Sequence, residues 1–376
     1  MVRASIFIWE VVRLRYSNTI RLALNENEAN LVTHDGPKYH ADDLMSCVIM
    51  AAYLEPNHED AVLLRTRDRD IIERKRGHAV IFDVGYQYDP TYLSFDHHQS
   101  EFQMRRTRLP HIKYASAGLL WLEYGREILR NNYGCPEDLL EEVMNSVDRL
   151  CIEGIDMVDN GKHNYSYSTL TVSGLLAMGN PLWDEVDAFS DESFVETANW
   201  ARWILDRAIM ICLSIARGRK LVGELLQDTD ADTEIMVFDR FIGGWESAIA
   251  RSPEESSNLK FVVYKAQKQR RTDKDMWTIE AIVDRSKPTG YRMLFPENWW
   301  GLNERHFKKE TGIKDAAYIN KVGTLATARS EEGAIQLANF AIKLRKMEIM
   351  DVYDSPEIAA NERVQDDHSR DRVTAV

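Results

Sequence analysis

Cysteine is scarce and unpaired in this sequence: Cys47, Cys135, Cys151 and Cys212 are its four, with no Cys-x-x-Cys spacing. That excludes a cysteine-built zinc site and fits a reducing compartment, so a cytoplasmic location is expected. No uninterrupted apolar run approaches the ~18 residues of a membrane-spanning helix, so no membrane partner is expected. Positive charge is also short, 47 Lys and Arg against 60 Asp and Glu, for a net charge of -13. Contact with nucleic acid therefore has to use a local basic patch or bound cations, because the bulk charge repels phosphate. No internal repeat or low-complexity block is present, so the chain is not read as a repeat array.

With 376 residues, 44% of them hydrophobic, the chain can bury real cores, and its length suggests about two to three domains. Residues 1–30 read as an N-terminal extension. Within residues 1–24, Arg3, Arg13, Arg15 and Arg21 stand against a single Glu10, a balance shared by transit peptides. The β-prone Ser5-Ile6-Phe7-Ile8-Trp9 and Val11-Val12, then a polar turn from Asn25 to Asn30, favour an added structural element. Over 31–180, short apolar runs alternate with helical periodicity. Leu31-Val32-Thr33, Ala61-Val62-Leu63-Leu64, Ala79 to Phe82 and Tyr92-Leu93-Ser94-Phe95 read as strands. Asp42 to Leu54, Ala115 to Asn131 and Glu137 to Val158 read as helices, the last with a core stripe of Leu140, Val143, Val147, Leu150, Cys151, Ile155 and Val158. The alternation predicts an α/β fold, a parallel sheet flanked by helices. After Gly179-Asn180-Pro181, residues 181–350 read as a smaller α+β substrate-binding domain. Its elements are a long helix from Phe194 to Arg217, strands near Ile235–Phe238, Phe261–Tyr264, Trp277–Val283 and Ala316–Ile319, and a helix from Glu331 to about Lys346. Residues 351–376, charged and apolar-poor, read as a mobile tail.

Phe95-Asp96-His97-His98-Gln99 organises this pattern. Neighbouring side chains of an extended segment point to opposite faces, so His97 and His98 can serve different partners, one a metal and the other a substrate. His34, Asp83 and His97 each follow a strand, where parallel sheets gather functional groups. With His40, Asp42, Asp156 and Asp159 they form an imidazole and carboxylate set that suits Mn²⁺, Fe or Zn²⁺. The set exceeds the needs of one ion. Two ions about 3.5–4 Å apart, holding a bridging hydroxide and neutralising the leaving oxygen, are a standard arrangement for phosphoester hydrolysis. Asp83 suits the bridging position. Singly, each residue has a plainer account: His34 in a turn, Asp42 or Asp43 capping the next helix, Asp159 in a helix-ending turn before Asn160-Gly161. Their joint occurrence at strand ends favours a shared metal site. Arg65, Arg67, Arg105, Arg106 and Arg108 are candidates for phosphate contact, the plainer account being a solvated charged face.

The ordered set Thr33-His34-Asp35-Gly36-x-x-x-His40-x-Asp42-Asp43, Arg65-Thr66-Arg67-Asp68, Asp83-Val84-Gly85, Asp96-His97-His98-Gln99, Ser116-Ala117-Gly118 and Asp156-x-x-Asp159-Asn160-Gly161 resembles the MYG-type exonuclease family. That family is a branch of the DHH phosphoesterase superfamily. The likeness continues through Phe295-Pro296-Glu297-x-Trp299-x-Gly301-Leu302, Thr311-Gly312-Ile313 and Glu332-Gly333-Ala334, covering roughly residues 31–345. The resemblance implies a two-domain metal-dependent phosphodiesterase whose first domain is of the DHH type and whose activity is 3′–5′ exonucleolytic removal of nucleotides from RNA or DNA. By analogy, His34, His40 and Asp83 would hold one ion, and Asp42, Asp83, His97 and Asp156 the other. Two divalent ions are expected, Mn²⁺ foremost, with Mg²⁺ or another divalent ion as the alternative. His98 would contact the scissile phosphate or leaving group, and Asp96 would orient a neighbouring imidazole. Between Asp156 and Asp159 the sequence does not choose, and Asp156 is favoured.

One departure stands out. Where the family carries a glycine-rich stretch with a histidine, this chain has Val322-Gly323-Thr324-Leu325-Ala326-Thr327-Ala328-Arg329, leaving Arg329 as the phosphate-binding candidate. The leading expectation is an exonuclease on RNA or single-stranded DNA. A second is a hydrolase of short oligonucleotides, cyclic dinucleotides or pyrophosphate, and a third is a nucleotide-binding module without turnover. Homo-oligomer formation is left open.

Overall fold

A computed structural model describes residues 2–4, 19–162, 171–185, 190–266 and 275–353. The β-prone residues 5–9 and 11–12, and tail residues 354–376, lie outside the described residues. The chain forms two compact units, one within residues 10–217 and the other within 1–9 and 218–376.

Strand β1 (Val2–Ala4) pairs in the second unit's sheet. The first unit runs through β2 (Ile20–Leu22), β3 (Leu31–Thr33), α1 (Ala41–Leu54), β4 (Ala61–Arg65), α2 (Arg69–Lys75), β5 (Val80–Phe82), β6 (Tyr88–Asp89) and β7 (Ser94–Phe95). It continues with α3 (Ser116–Tyr133), α4 (Leu140–Val147), α5 (Glu153–Asp159), α6 (Val172–Ala177) and the first part of α7 (Ser190–Gln227). Its six strands take the order β2-β4-β3-β5-β7-β6, parallel throughout except for the β6–β7 pair. β3 and β5 are buried along their whole length, which is why they read as unbroken apolar runs rather than alternating ones. α1 is buried from Ala41 to Ala52 and packs on α3. As far as Ala216, α7 supplies Phe194, Ala198, Leu205 and Leu213 to this same core.

The single helix expected from Glu137 to Val158 is interrupted. A 3-10 turn at Glu137–Leu139 leads into α4, and a wider turn at Asp148–Ile152 precedes α5. In that turn the Glu153 N–H reaches back five residues to the Asp148 carbonyl. The added residue rotates the following side chains relative to a regular helix. Leu150, expected in the core stripe, is consequently 54% exposed.

The second unit contains β8 (Ile235–Phe238), α8 (Trp245–Arg251), β9 (Phe261–Lys265), β10 (Trp277–Ala281), α9 (Glu304–Thr311), β11 (Ala316–Ile319), β12 (Leu325–Ala328) and α10 (Glu331–Tyr353). Its sheet order is β1-β8-β9-β10-β12-β11. The first two pairings are parallel and the other three antiparallel. Residues 351–353, expected in the tail, still belong to α10. Both units together give the expected mixed α/β architecture with a parallel-rich sheet. Among the described residues no helix is long and apolar enough to cross a membrane.

Candidate metal centre

β3, β5 and β7 are parallel neighbours, so their carboxyl ends share one edge of the sheet. His34 leaves β3, Asp83 leaves β5, and Asp96-His97-His98 leave β7. Asp83 adopts φ +55, a left-handed conformation that costs a non-glycine residue about 1–3 kcal/mol and persists where its surroundings fix it. The Asp83 N–H donates to Ser116 Oγ at 3.0 Å, fixing the turn from the amino end of α3.

The Asp83 carboxylate lies between imidazoles. Its Oδ2 is 3.4 Å from His34 Nε2, while Oδ1 is 3.5 Å from His97 Nε2 and 3.6 Å from His98 Nδ1. On one side, His34 Nε2 also faces Asp43 Oδ2 at 3.0 Å, its ring oriented by the Gly36 N–H donating to Nδ1. A ligating atom of His40 lies within 4.8 Å of those of His34 and Asp83. On the other side, His97 Nε2 faces Asp159 Oδ2 at 3.2 Å and Asp42 Oδ2 at 3.9 Å.

The first turn of α3 holds the acidic side of this cluster. Its Ser116 and Ala117 N–H groups donate to Asp42 at 3.0 and 2.8 Å, and the Gly118 N–H donates to Asp156 Oδ1 at 3.2 Å. Ala115 in the cap position offers no side-chain acceptor, so distant carboxylates satisfy the exposed donors instead. Asp42 thus caps α3, not the helix it belongs to. Asp43 takes that local role: its Oδ1 accepts from the His40 and Leu44 N–H groups at 2.9 and 2.8 Å.

Asp96 is occupied by its own loop. Oδ1 accepts from the His97 N–H at 2.8 Å and pairs with His98 Nδ1 at 2.7 Å, and Oδ2 accepts from the Tyr86 N–H at 2.6 Å. This fixes the His98 ring, whose side chain is 50% exposed and lines a cavity of about 1280 Å³ together with His34, Asp83, Arg67 and Tyr86.

Charge is unbalanced within the cluster. Burial, then the neighbouring Asp159 and Asp83, push the Asp42 carboxyl well up. Asp43 and Asp159 are also raised, chiefly by burial. For Asp83 the upward push of burial is overcome by His34 and His97, and its carboxyl is held well below the usual range. Burial would lower His34, but Asp43 and Asp83 outweigh it and push the imidazole up to about 9. The hydrogen bond to Asp96 raises His98 against the opposing effect of burial. Four carboxylates therefore crowd around imidazoles that only partly compensate them.

Asp83 Oδ1 and His97 Nε2 are buried without a hydrogen-bond partner. A buried polar atom left unmatched costs about 1–3 kcal/mol, and a cation touching both removes that cost. The donors are imidazole nitrogen and carboxylate oxygen without sulfur, a set suited to a divalent ion such as Mn²⁺. The residues fit a bound divalent metal.

The remaining expected residues are placed differently. Asp156, the favoured ligand, is fully buried and faces Arg106, whose Nε and Nη2 donate to its Oδ2 at 2.9 and 2.7 Å. Asp159 is the member of that pair beside His97. Arg106, expected to contact phosphate, is only 2% exposed and also pairs with Asp148 at 2.6 Å. Arg65 is likewise internal, donating to the Gly36 carbonyl and pairing with Asp191. Arg105 is exposed and donates to the Pro110 carbonyl, Arg108 pairs with Glu153, and Arg329, in the second unit, pairs with Glu304. Of the expected cations, Arg67 alone lines the cavity of His98. Asp43 was missed as a contact of His34. The adjacent Asp42-Asp43 pair held the signal, because consecutive helical residues face different directions.

Comparison with known proteins gives a consistent family. The chain is 25% identical over 328 residues to "MYG1 protein" of Dictyostelium discoideum, covering 83% of this chain and 96% of the relative. It is 26% identical over 333 residues to "MYG1 exonuclease" of Homo sapiens, covering 83% and 85%. Among solved structures, "pGpG-specific phosphodiesterase - PggH from Vibrio cholrae" aligns at 14% identity and a TM-score of 0.28, covering 84% of this chain and 98% of that one. With residues 30–342 matched by the family model MYG1_exonuc, described as Uncharacterised protein family (UPF0160), the chain belongs to that family.

Proposed function

We propose that the chain is a divalent-cation-dependent phosphodiesterase that removes nucleotides from the 3′ end of RNA or single-stranded DNA. One observation carries this reading: the Asp83 carboxylate turns one oxygen toward His34 and the other toward His97, as a group shared by two cations would. The exonuclease name of the human relative supports the same class. On this reading residues 31–180 carry the chemistry. His34, His40 and Asp83 would hold one ion, with Asp43 beside His34, and Asp42, Asp83, His97 and Asp159 would hold the other. When bound, a pair of Mn²⁺ ions supplies charge neutralisation at phosphate and acidifies a water. The chain's own side chains do the rest. Asp96 engages His98 Nδ1, leaving Nε2 for substrate, where the ring is placed to pass a proton to the departing oxygen. Arg67, 56% exposed at the cavity, attracts the phosphate.

The test is a 3′-labelled single strand with Mn²⁺. Stepwise release of mononucleotides is expected, and a folded, Mn²⁺-loaded protein that cleaves no phosphodiester rejects the reading. A preference for short oligonucleotides is the second reading, favoured by Gly323 turning into β12 with no histidine between Val322 and Arg329. Cleavage of dinucleotides but not of longer strands would select it.

A further inference from the structure

Tyr86 has no role in the cluster described above, yet its placement is unusual. It adopts φ +53, a conformation that bulky side chains rarely hold. Asp83 and Gly85, also at positive φ, coil the preceding loop, and the Tyr86 N–H is pinned to Asp96 Oδ2 at 2.6 Å. The ring is left 69% exposed. Its edge-on neighbour is the cavity-facing His98, with ring centroids 6.4 Å apart. The chain thus keeps a costly backbone conformation to hold an aromatic face in water beside the imidazole next to the carboxylate cluster. Packing does not explain it, because the ring buries little. Cations already stand at the same cavity, Lys38, Arg67 and Arg69 among them, so phosphate recognition needs nothing from Tyr86. An exposed aromatic face beside phosphate-binding cations is how proteins hold unpaired bases.

We propose that Tyr86 forms a nucleobase subsite: its ring stacks on the base of the terminal nucleotide whose phosphate lies at His98. This rests on the phosphodiesterase reading and deepens it, since it selects substrates with an unpaired terminal base over base-free diesters. Stacking accepts any base, so no sequence preference is expected from this contact.

Tyr86→Gly tests the assignment without threatening the fold, because glycine takes the left-handed conformation freely. Its urea midpoint is expected to equal or exceed that of the parent chain. Its KM for a base-bearing single strand with Mn²⁺ is expected to rise about 5- to 150-fold with kcat little changed. On a strand ending in an abasic residue the two proteins are expected to have equal KM, and Tyr86→Phe is expected to behave as the parent chain on both strands. In stopped-flow mixing, a strand ending in 2-aminopurine loses fluorescence on the parent chain and not on Tyr86→Gly. An unchanged KM for the base-bearing strand, or the same rise on both strands, overturns the subsite. Failure of the parent chain to cleave either strand overturns the phosphodiesterase reading, and the subsite with it.

Discussion

Gly118→Ala sets two physical rules against each other. Gly118 lies inside α3, where replacing glycine by alanine ordinarily stabilises a helix by about 1 kcal/mol. Here a Cβ would stand 2.1 Å from Asp156 Oδ2 and 2.8 Å from its Cγ and Oδ1. A tolerable carbon–oxygen contact is roughly 3.3 Å, so the carboxylate must retreat by more than ~1 Å. It has little freedom to do so: Asp156 is fully buried and Arg106, 2% exposed, holds the oxygen that is struck. Breaking a buried ion pair costs about 3–5 kcal/mol. After the helix gain is subtracted, a net loss of roughly 2–4 kcal/mol is expected. Urea denaturation of the metal-free chain measures it. Repeating the substitution in an Asp156→Ala background isolates the cause, since the methyl then meets no carboxylate and the helix gain should reappear with stabilising sign. A neutral or stabilising Gly118→Ala in the native background, or an equal loss in both backgrounds, would refute the argument.

Arg106→Met should lower stability by about 3–5 kcal/mol by leaving buried Asp156 without its counter-charge; a raised KM with unchanged stability would put Arg106 at the substrate instead. Asp96→Asn weakens the charge-assisted hold on His98 and should reduce kcat by about 10- to 100-fold with the fold intact, while an unchanged rate shows that His98 needs no such orientation. Mn²⁺ uptake should release protons, since an ion at His34 displaces the proton that the imidazole retains up to about pH 9. Affinity therefore climbs with pH through neutrality, and calorimetry in buffers of different ionisation enthalpy should detect the release. Without metal, His34 is raised above its unfolded value of 6.5, so its contribution to stability is full below 6.5 and lost as pH rises through about 9. A metal-free unfolding midpoint that is flat from pH 6 to pH 9 contradicts this.

The strands of the first sheet were legible because a strand buried on both faces is apolar along its whole length, as in Leu31-Val32 and Val80-Ile81-Phe82. The turn residues Gly179-Asn180-Pro181 were read as the join of the two parts, whereas the compact units part at Arg217 and Gly218, inside α7. Composition registers linkers, and a helix that continues from one core into the next leaves no such mark. The positions of His34, Asp83 and His97 along one edge followed from strand ends and parallel pairing. What could not be read was the pairing of charges across sequence distance. The turn at Asp148–Ile152 changes the helical phase ahead of Asp156 and Asp159, and no periodicity argument that assumes a regular helix decides which of the two meets His97. Arg106 reads as a surface cation until the fold brings Asp148 and Asp156 to it.

The amino end of α3 gives the motif residues Ser116-Ala117-Gly118 a common physical purpose. Carboxylates gathered in a buried cluster disfavour their own charged forms, and Asp42 and Asp159 are raised first by burial and then by neighbouring carboxylates. The partial positive charge of a helix amino end offsets part of that cost. Three successive N–H groups of α3 reach Asp42 and Asp156, and the Ser116 hydroxyl receives the Asp83 N–H. Serine supplies the acceptor that fixes the strained turn at Asp83, and glycine leaves room for the Asp156 carboxylate. Position and charge are thus set by backbone groups, which cannot move away when substrate enters. Donors fixed by the helix itself hold these carboxylates in place, which lowers the ordering cost of any ligand that meets them.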